Sequence, residues 1–220
     1  MANMDNGSGM TSQRTRARMI ERLCEQGIQD TRVLTAMSAV PRHLFVSEAL
    51  AHRAYDDTAL PLIHGQTISQ PYVVARMIAL LLDGRSSLGK TLEIGTGCGY
   101  QAAVLAQLSN EVFGVERINA LFIQARQNLR QAKCIKVRLK HADGMRGLPE
   151  ASPFDSIIVA AAAVGGVPQD LLDQLALEGR LIIPLGGGVQ SLRLLERKNG
   201  RFEEKQLDAV KFVPLLPGAI

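Results

Sequence analysis

Residues 91–100 read T-L-E-I-G-T-G-C-G-Y, a short apolar strand running straight into a glycine-rich turn. An amphipathic stretch, residues 101–108, begins at once behind it. Glycines at 95, 97 and 99 carry no Cβ, so the backbone can turn sharply and come close to a ligand. The free amides at the start of the following helix then face that ligand. Spacing narrows the ligand class. A dinucleotide turn reads G-x-G-x-x-G/A, with a third small residue where this chain has Tyr100. Here the pattern is G-x-G-x-G, preceded by the acid Glu93 and with Thr96 inside the turn.

The chain beyond the turn extends the pattern. Residues 111–115 (E-V-F-G-V) form a second buried-strand run with Glu116 at its carboxyl end, followed by Arg117. An acid there accepts hydrogen bonds from ribose hydroxyls in nucleoside-binding α/β folds. Residues 136–140 (K-V-R-L-K) alternate as a third strand and lead into H-A-D-G at 141–144, where Asp143 is placed toward the adenine end of the same ligand. Singly, each acid reads equally well as a solvated charge at a strand end. Together they occupy consecutive strand ends at the edge where open sheets bind ligands, which points to a nucleoside-cofactor site. The turn with its preceding acid resembles motif I of S-adenosylmethionine-dependent methyltransferases.

Length and composition set the frame. At 220 residues and 46% hydrophobic content, the chain suffices for one domain with a full core. No apolar run reaches the ~18 residues of a membrane span. Residues 1–12 are polar and lack the apolar stretch of a signal peptide, so they read as a disordered tail, with Met10 an alternative start. Cys24, Cys98 and Cys134 are odd in number and far apart, suggesting reduced thiols in a cytoplasmic protein and no zinc or other metal site. Net charge is +4, yet from Arg117 to Ala142 there are seven basic residues and no acid. Arg126, Arg130 and Lys133 fall at helical spacing opposite an apolar stripe that includes Leu121 and Leu129. A solvated helix face accounts for this. No aromatic residues interleave to stack bases, so no nucleic-acid partner is expected.

The organisation follows from periodicity and punctuation. Residues 11–26 and 31–40 read as helices, 55–66 as loop, and Ser69-Gln70-Pro71 as a helix start with Ser69 the candidate cap. Strands are expected at 154–160 and 181–185, with a helix at 169–177 between them. Residues 191–197 and 202–207 flank Asn199-Gly200 as a hairpin, and 210–216 is apolar enough for a final strand. The expected fold is α/β: a Rossmann-like methyltransferase sheet, mostly parallel with an antiparallel end, helices on both faces and an N-terminal helical layer. It reads as a single domain over 1–220, with 13–85 the helical, substrate-side region and 91–220 the cofactor-binding core and C-terminal strands.

Several further segments make the resemblance specific: V-P-R at 40–42, Y-D-D-T-A-L-P at 55–61, G-Q-T-I-S-Q-P-Y-V-V-A-R-M at 65–77, V-E-R at 115–117, F-D-S-I-I-V at 154–159 and F-V-P-L at 212–215. With E-I-G-T-G-C-G-Y they resemble the protein-L-isoaspartate O-methyltransferases over residues 11–217. That resemblance implies transfer of a methyl group from S-adenosylmethionine to the free carboxylate of isoaspartyl residues in damaged proteins and peptides. The ester then collapses to a succinimide whose hydrolysis restores some aspartyl linkage. By the same resemblance Ser69 is the catalytic position. Gln66, Thr67, Ile68, Ser69, Glu93, Gly95, Thr96, Gly97, Gly99, Tyr100, Glu116, Arg117, Asp143 and Gly144 are expected at the cofactor, and Ser69, Val213, Pro214 and Leu215 at the substrate. Oligomeric state is not legible.

A carboxylate with a pKa near ~4 is already ionised at pH 7, so it needs no general base. His64 and His141, both near the expected site, are therefore not required as bases. Two departures stand out. Where the family often has Thr-Ala-Ala-Pro, this chain reads A-A-A-A-V-G-G at 160–166, and Lys133-Cys134-Ile135 makes a short link into the third strand. An RNA or small-molecule methyltransferase and a silent cofactor-binding module remain as alternatives.

Overall fold

A computed structural model describes residues 9–220. Most of the expected N-terminal tail, residues 1–8, lies outside the described residues. Gly9–Thr11 form a 3-10 turn, and Ser12 caps the first helix by accepting from the Thr15 amide. Helices α1 (Gln13–Glu25) and α2 (Thr31–Ala39) bury Met19 and Leu23, and Val33, Ala36 and Met37. Asp30 caps α2 through Arg32 N at 2.9 Å. Within the stretch read as loop, β1 (Leu60–Pro61) and β2 (Thr67–Ile68) pair antiparallel, and this small ladder leads into α3 (Pro71–Leu82).

The sheet follows: β3 (Lys90–Ile94), α4 (Tyr100–Leu105), β4 (Glu111–Glu116), α5 (Asn119–Gln131), β5 (Val137–His141), β6 (Phe154–Val159), α6 (Gln169–Asp173), β7 (Leu175–Leu185), β8 (Gln190–Lys198) and β9 (Arg201–Val210). Its order is β5-β4-β3-β6-β7-β8-β9, parallel from β5 through β7 and antiparallel from β7 through β9. The expected α/β architecture with an antiparallel end is therefore present. The order in which strands are added reverses at β3, with β4 on one side and β6 on the other. Such a switch point opens a crevice at the carboxyl ends of the strands.

Alternating side chains of the strands feed two cores. Val112, Ile158 and Ile182 join the N-terminal helices, α3 and α4 in one. Their neighbours Phe113, Ile157 and Val159, and Leu181 and Ile183, join Leu171 of α6 in the other. A period of two places such neighbours on opposite faces, so both faces of the parallel strands are covered.

Three boundaries differ from the sequence reading. The helix expected at 169–177 stops at Asp173, because Leu175 pairs with Phe154 and begins β7. Buried Gln174 fixes the switch, accepting from Leu148 N at 2.7 Å and donating to Arg146 O at 2.9 Å. Of the expected strand at 210–216, Val210 ends β9 and the remainder is an irregular extended segment whose one bridge joins Pro214 to Ala162. Ser69 does not cap α3. Gln70 holds the cap position without a side-chain bond and Pro71 needs none, while the Tyr72 amide donates to Asp57 Oδ1 at 2.9 Å.

Candidate active site

The glycine turn hangs from the ends of β3 and β4. Gly95 N donates to Val115 O at 2.9 Å, and Gly97 N donates to Glu116 Oε2 at 2.8 Å. The other oxygen of Glu116 accepts from Ile118 N at 2.9 Å. A carboxylate bonded to both the turn and its own downstream backbone is held in one orientation, with lone pairs left for hydroxyl donors. Gly97 adopts φ 58° and Gly99 φ 89°, both in the left-handed region where a side chain is strained. A Cβ on Gly99 would also stand 3.2 Å from Leu129 of α5, so its absence lets α4 start close against that helix.

A cleft with about 920 Å³ of empty space, part of it open to solvent, lies above this turn. Its inner wall is Glu93, Gly95, Thr96, Gly97 and Tyr100, and Glu116, Arg117 and Gly144 stand beside them. A second part of the lining is β2 with its flanks, Gln66 to Ser69, together with Val213, Pro214 and Leu215. Two segments from the N-terminal region and the tail thus share one cleft with the cofactor-type turn. Ala162 makes this possible by pairing with the tail, donating to Val213 O and accepting from Leu215 N, each at 2.8 Å.

Two expected residues are not on the wall. Gly99 sits behind the turn as the N-cap of α4. The carboxylate of Asp143 accepts from Met145 N at 2.9 Å and Gly218 N at 2.8 Å, so it braces the tail instead of reaching into the cleft. The Arg117 side chain does similar work, donating to Gly218 O at 3.0 Å and Pro217 O at 3.3 Å. His64 and His141 also lie off the wall, and His141 Nε2 is within 3.0 Å of Arg117 O and 3.1 Å of Ile220 O.

Electrostatics distinguish the inner wall. Glu93 is 1% exposed, and burial, helped by the nearby Glu116 charge, pushes its carboxyl up to about 8, with Gln101 and Thr96 close enough to oppose the shift. Neither completes a well-formed bond: Glu93 Oε2, Thr96 Oγ1 and Gln101 Nε2 are all buried without partners. Three orphaned polar atoms lining one cleft are a site waiting for a polar ligand, since an unmet buried group costs ~1–3 kcal/mol. Glu93, once ionised, and Glu116 beside it suit a cation that carries hydroxyls, which fits the sulfonium, ammonium and ribose of S-adenosylmethionine. Sequence reading missed Gln101. Its signal was available: it is the single polar side chain in a six-residue helix that is otherwise apolar and wholly buried. Ile118 and Leu121, also on the wall, were missed as well, the latter because its place in an apolar stripe accounted for it fully.

Residues 14–219 match the family model for protein-L-isoaspartate(D-aspartate) O-methyltransferase. The chain belongs to this family. Among curated relatives it is 66% identical to a protein-L-isoaspartate O-methyltransferase of Dechloromonas aromatica, over 98% of this chain and 99% of that one. It is 65% identical to one from Azoarcus sp., over 93% and 94%. Among solved structures it is similar, at TM-score 0.81 and 28% identity, to a Plasmodium falciparum structure described as a protein-L-isoaspartate O-methyltransferase in complex with S-adenosyl-L-homocysteine, covering 91% of this chain and 98% of that one. As a member of the family the chain is a methyltransferase, and its cofactor is S-adenosylmethionine. Among the described residues no helix is long and apolar enough to cross a membrane.

Proposed function

We propose that the chain methylates the free carboxylate of L-isoaspartyl residues in damaged proteins and peptides, and that the cleft is where it does so. The observation that carries this reading is a shared cleft: an acid-lined glycine turn, Ser69 and the 213–215 segment all line it. When bound, S-adenosylmethionine supplies a methyl group on a positively charged sulfur. On this reading Glu93 and Gln101 receive its charged amino-acid end and Glu116 its ribose. Gly144, Ile118 and Leu121 enclose the adenine, a role expected of Asp143 that its bonds to the tail do not support. Residues 13–85, joined by 213–215 of the tail, supply the substrate side, and the α/β core within 91–220 supplies the cofactor side.

Ser69 offers a hydroxyl at the junction of the two walls, free of any duty as a helix cap, to hold the substrate carboxylate. That carboxylate is ionised at neutral pH and no proton has to be removed, which agrees with the absence of His64 and His141 from the wall. The protein's work is alignment and exclusion of water. Val213 to Leu215, tied to Ala162, form the edge along which an extended peptide would lie. The proposed partners are proteins carrying isoaspartate.

The test is transfer of radiolabelled methyl to matched peptides, one containing isoaspartate and one aspartate. Base-labile label should appear in the isoaspartyl peptide alone. Equal labelling of both, or label on RNA and on neither peptide, would sink this reading.

A further inference from the structure

Arg42 is 0% exposed, yet none of the ion pairs among the described residues includes it. Its Nε donates to Ala54 O at 2.8 Å and its Nη2 to Ser69 O at 2.7 Å, while Nη1 is buried without a partner. The guanidinium carbon stands 4.6 Å from the centre of the Tyr100 ring. These neighbours come from separate parts of the fold. Ala54 closes the 3-10 turn Glu48–Arg53, Ser69 joins β2 to α3, and Tyr100 opens α4 behind the glycine turn. One side chain therefore ties the substrate wall to the cofactor wall.

Neutral donors would serve that purpose at less cost. Taking a guanidinium out of water is strongly unfavourable, and two carbonyls and one ring face offset it only in part. Burial pulls the pKa of Arg42 down, yet a guanidinium keeps its proton at any ordinary pH. Tyr100 and Cys98, the groups closest in influence, are held neutral by burial, with pKa values pushed up to about 12 and about 11. So the charge is permanent, and the one carboxylate acting on it, Asp57, does so through space without forming an ion pair. The guanidinium stands directly behind the backbone of Ser69, in a low-dielectric region where its field reaches far. The cleft gains from such a charge, because Glu116 on its wall would otherwise repel an entering anion.

We propose that Arg42 is the positioning residue of the substrate wall, fixing Ser69 against the cofactor turn and supplying the positive field that selects a carboxylate over its neutral counterpart. It acts through Ser69 and Tyr100 and does not line the cleft. This inference rests on the isoaspartyl reading of the site.

The experiment compares binding of two labelled peptides to the protein saturated with S-adenosyl-L-homocysteine. One carries isoaspartate with its free carboxylate. The other carries the isosteric carboxamide. Wild type should prefer the acid by about ten-fold or more. Arg42→Gln should bring that ratio within about two-fold while S-adenosyl-L-homocysteine affinity stays within about three-fold. Arg42→Lys, which keeps the charge, should retain most of the preference. If Arg42→Gln weakens both peptides alike and leaves the ratio intact, the residue is only a strut and the proposal is wrong. Should Arg42→Gln fail to fold, Ser69→Ala carries the test, since it removes the hydroxyl and leaves the charge. Its acid preference should persist at several-fold, and a collapse to parity overturns the proposal. A wild-type protein that neither labels isoaspartyl peptide nor prefers the acid would instead overturn the functional reading beneath it.

Discussion

Glu93 is an acid that folding places beyond the reach of water, and its chemistry follows from that. Burial raises the carboxyl to about 8, so at neutral pH the empty site holds a proton that a cationic ligand must drive off. Calorimetric titration with S-adenosylmethionine at pH 7, in buffers of differing ionisation enthalpy, should show release of about one proton per ligand bound, and Glu93→Gln should abolish it. Heats independent of the buffer would remove Glu93 from the site. Stability carries the same signature. In the unfolded chain this carboxyl titrates near 4.5 and in the folded protein near 8, so between these the folded state binds the extra proton. Stability of the ligand-free protein should therefore fall, relative to Glu93→Gln, as pH rises from 4.5 to 8, read from urea midpoints of both proteins. Ser69 gives the complementary case. Since Asp57 caps α3 instead, Ser69→Ala should change stability by less than about 0.5 kcal/mol. It should lower kcat/KM for the isoaspartyl peptide roughly ten- to a hundred-fold, about 1.4–2.7 kcal/mol. Unchanged kcat/KM would leave Ser69 without a role at the substrate.

Helix α3 shows how a single element is finished from outside itself. Its first turn contains Pro71, which has no amide proton, and Tyr72, whose amide goes to Asp57, 15 residues upstream. Asp57 also accepts from Gln26 Nε2 at 2.8 Å, so this one carboxylate joins the end of α1 to the start of α3. Asp57→Ala should cost about 0.5–2 kcal/mol, the range for loss of a helix cap, while Asp57→Asn, which keeps an acceptor, should cost less. Chemical denaturation of the two variants checks the order. A larger loss for asparagine would mean that the charge matters more than the cap.

Across the whole molecule, the N-terminal helices and one face of the sheet share a single core. Met37 of α2 and Leu23 of α1 belong to the same buried cluster as Val74 of α3, Tyr100 of α4, Ile158 of β6 and Ile182 of β7. Elements joined by one core should lose their structure together. Met37→Ala, at a site with no exposed surface, should cost about 2–5 kcal/mol. Native-state hydrogen exchange should then show the slow amides of α2 and of β6 accelerating by the same factor. Faster exchange in α2 alone would mean that the N-terminal layer opens as a separate unit.

The amino-acid pattern by itself determined the strand, glycine turn and helix of residues 90–105, the acids at the ends of β3 and β4, and the alternation of strands and helices. Each of these is written in neighbours a few positions apart, through periodicity, missing Cβ atoms and turn chemistry. Only the tertiary structure decided which partner each polar group took. Asp143, at a strand end like Glu116, turned to Gly218, 75 residues away, and left the cleft. Gln101 came to rest beside a buried acid with its own donor unmet, and Arg42 came behind Ser69, 27 residues on. Residues 175–177 left a helix for a strand because Phe154 offered them a ladder. A hydrogen bond in the interior goes to whatever group the packing brings near, and packing is a property of the whole chain.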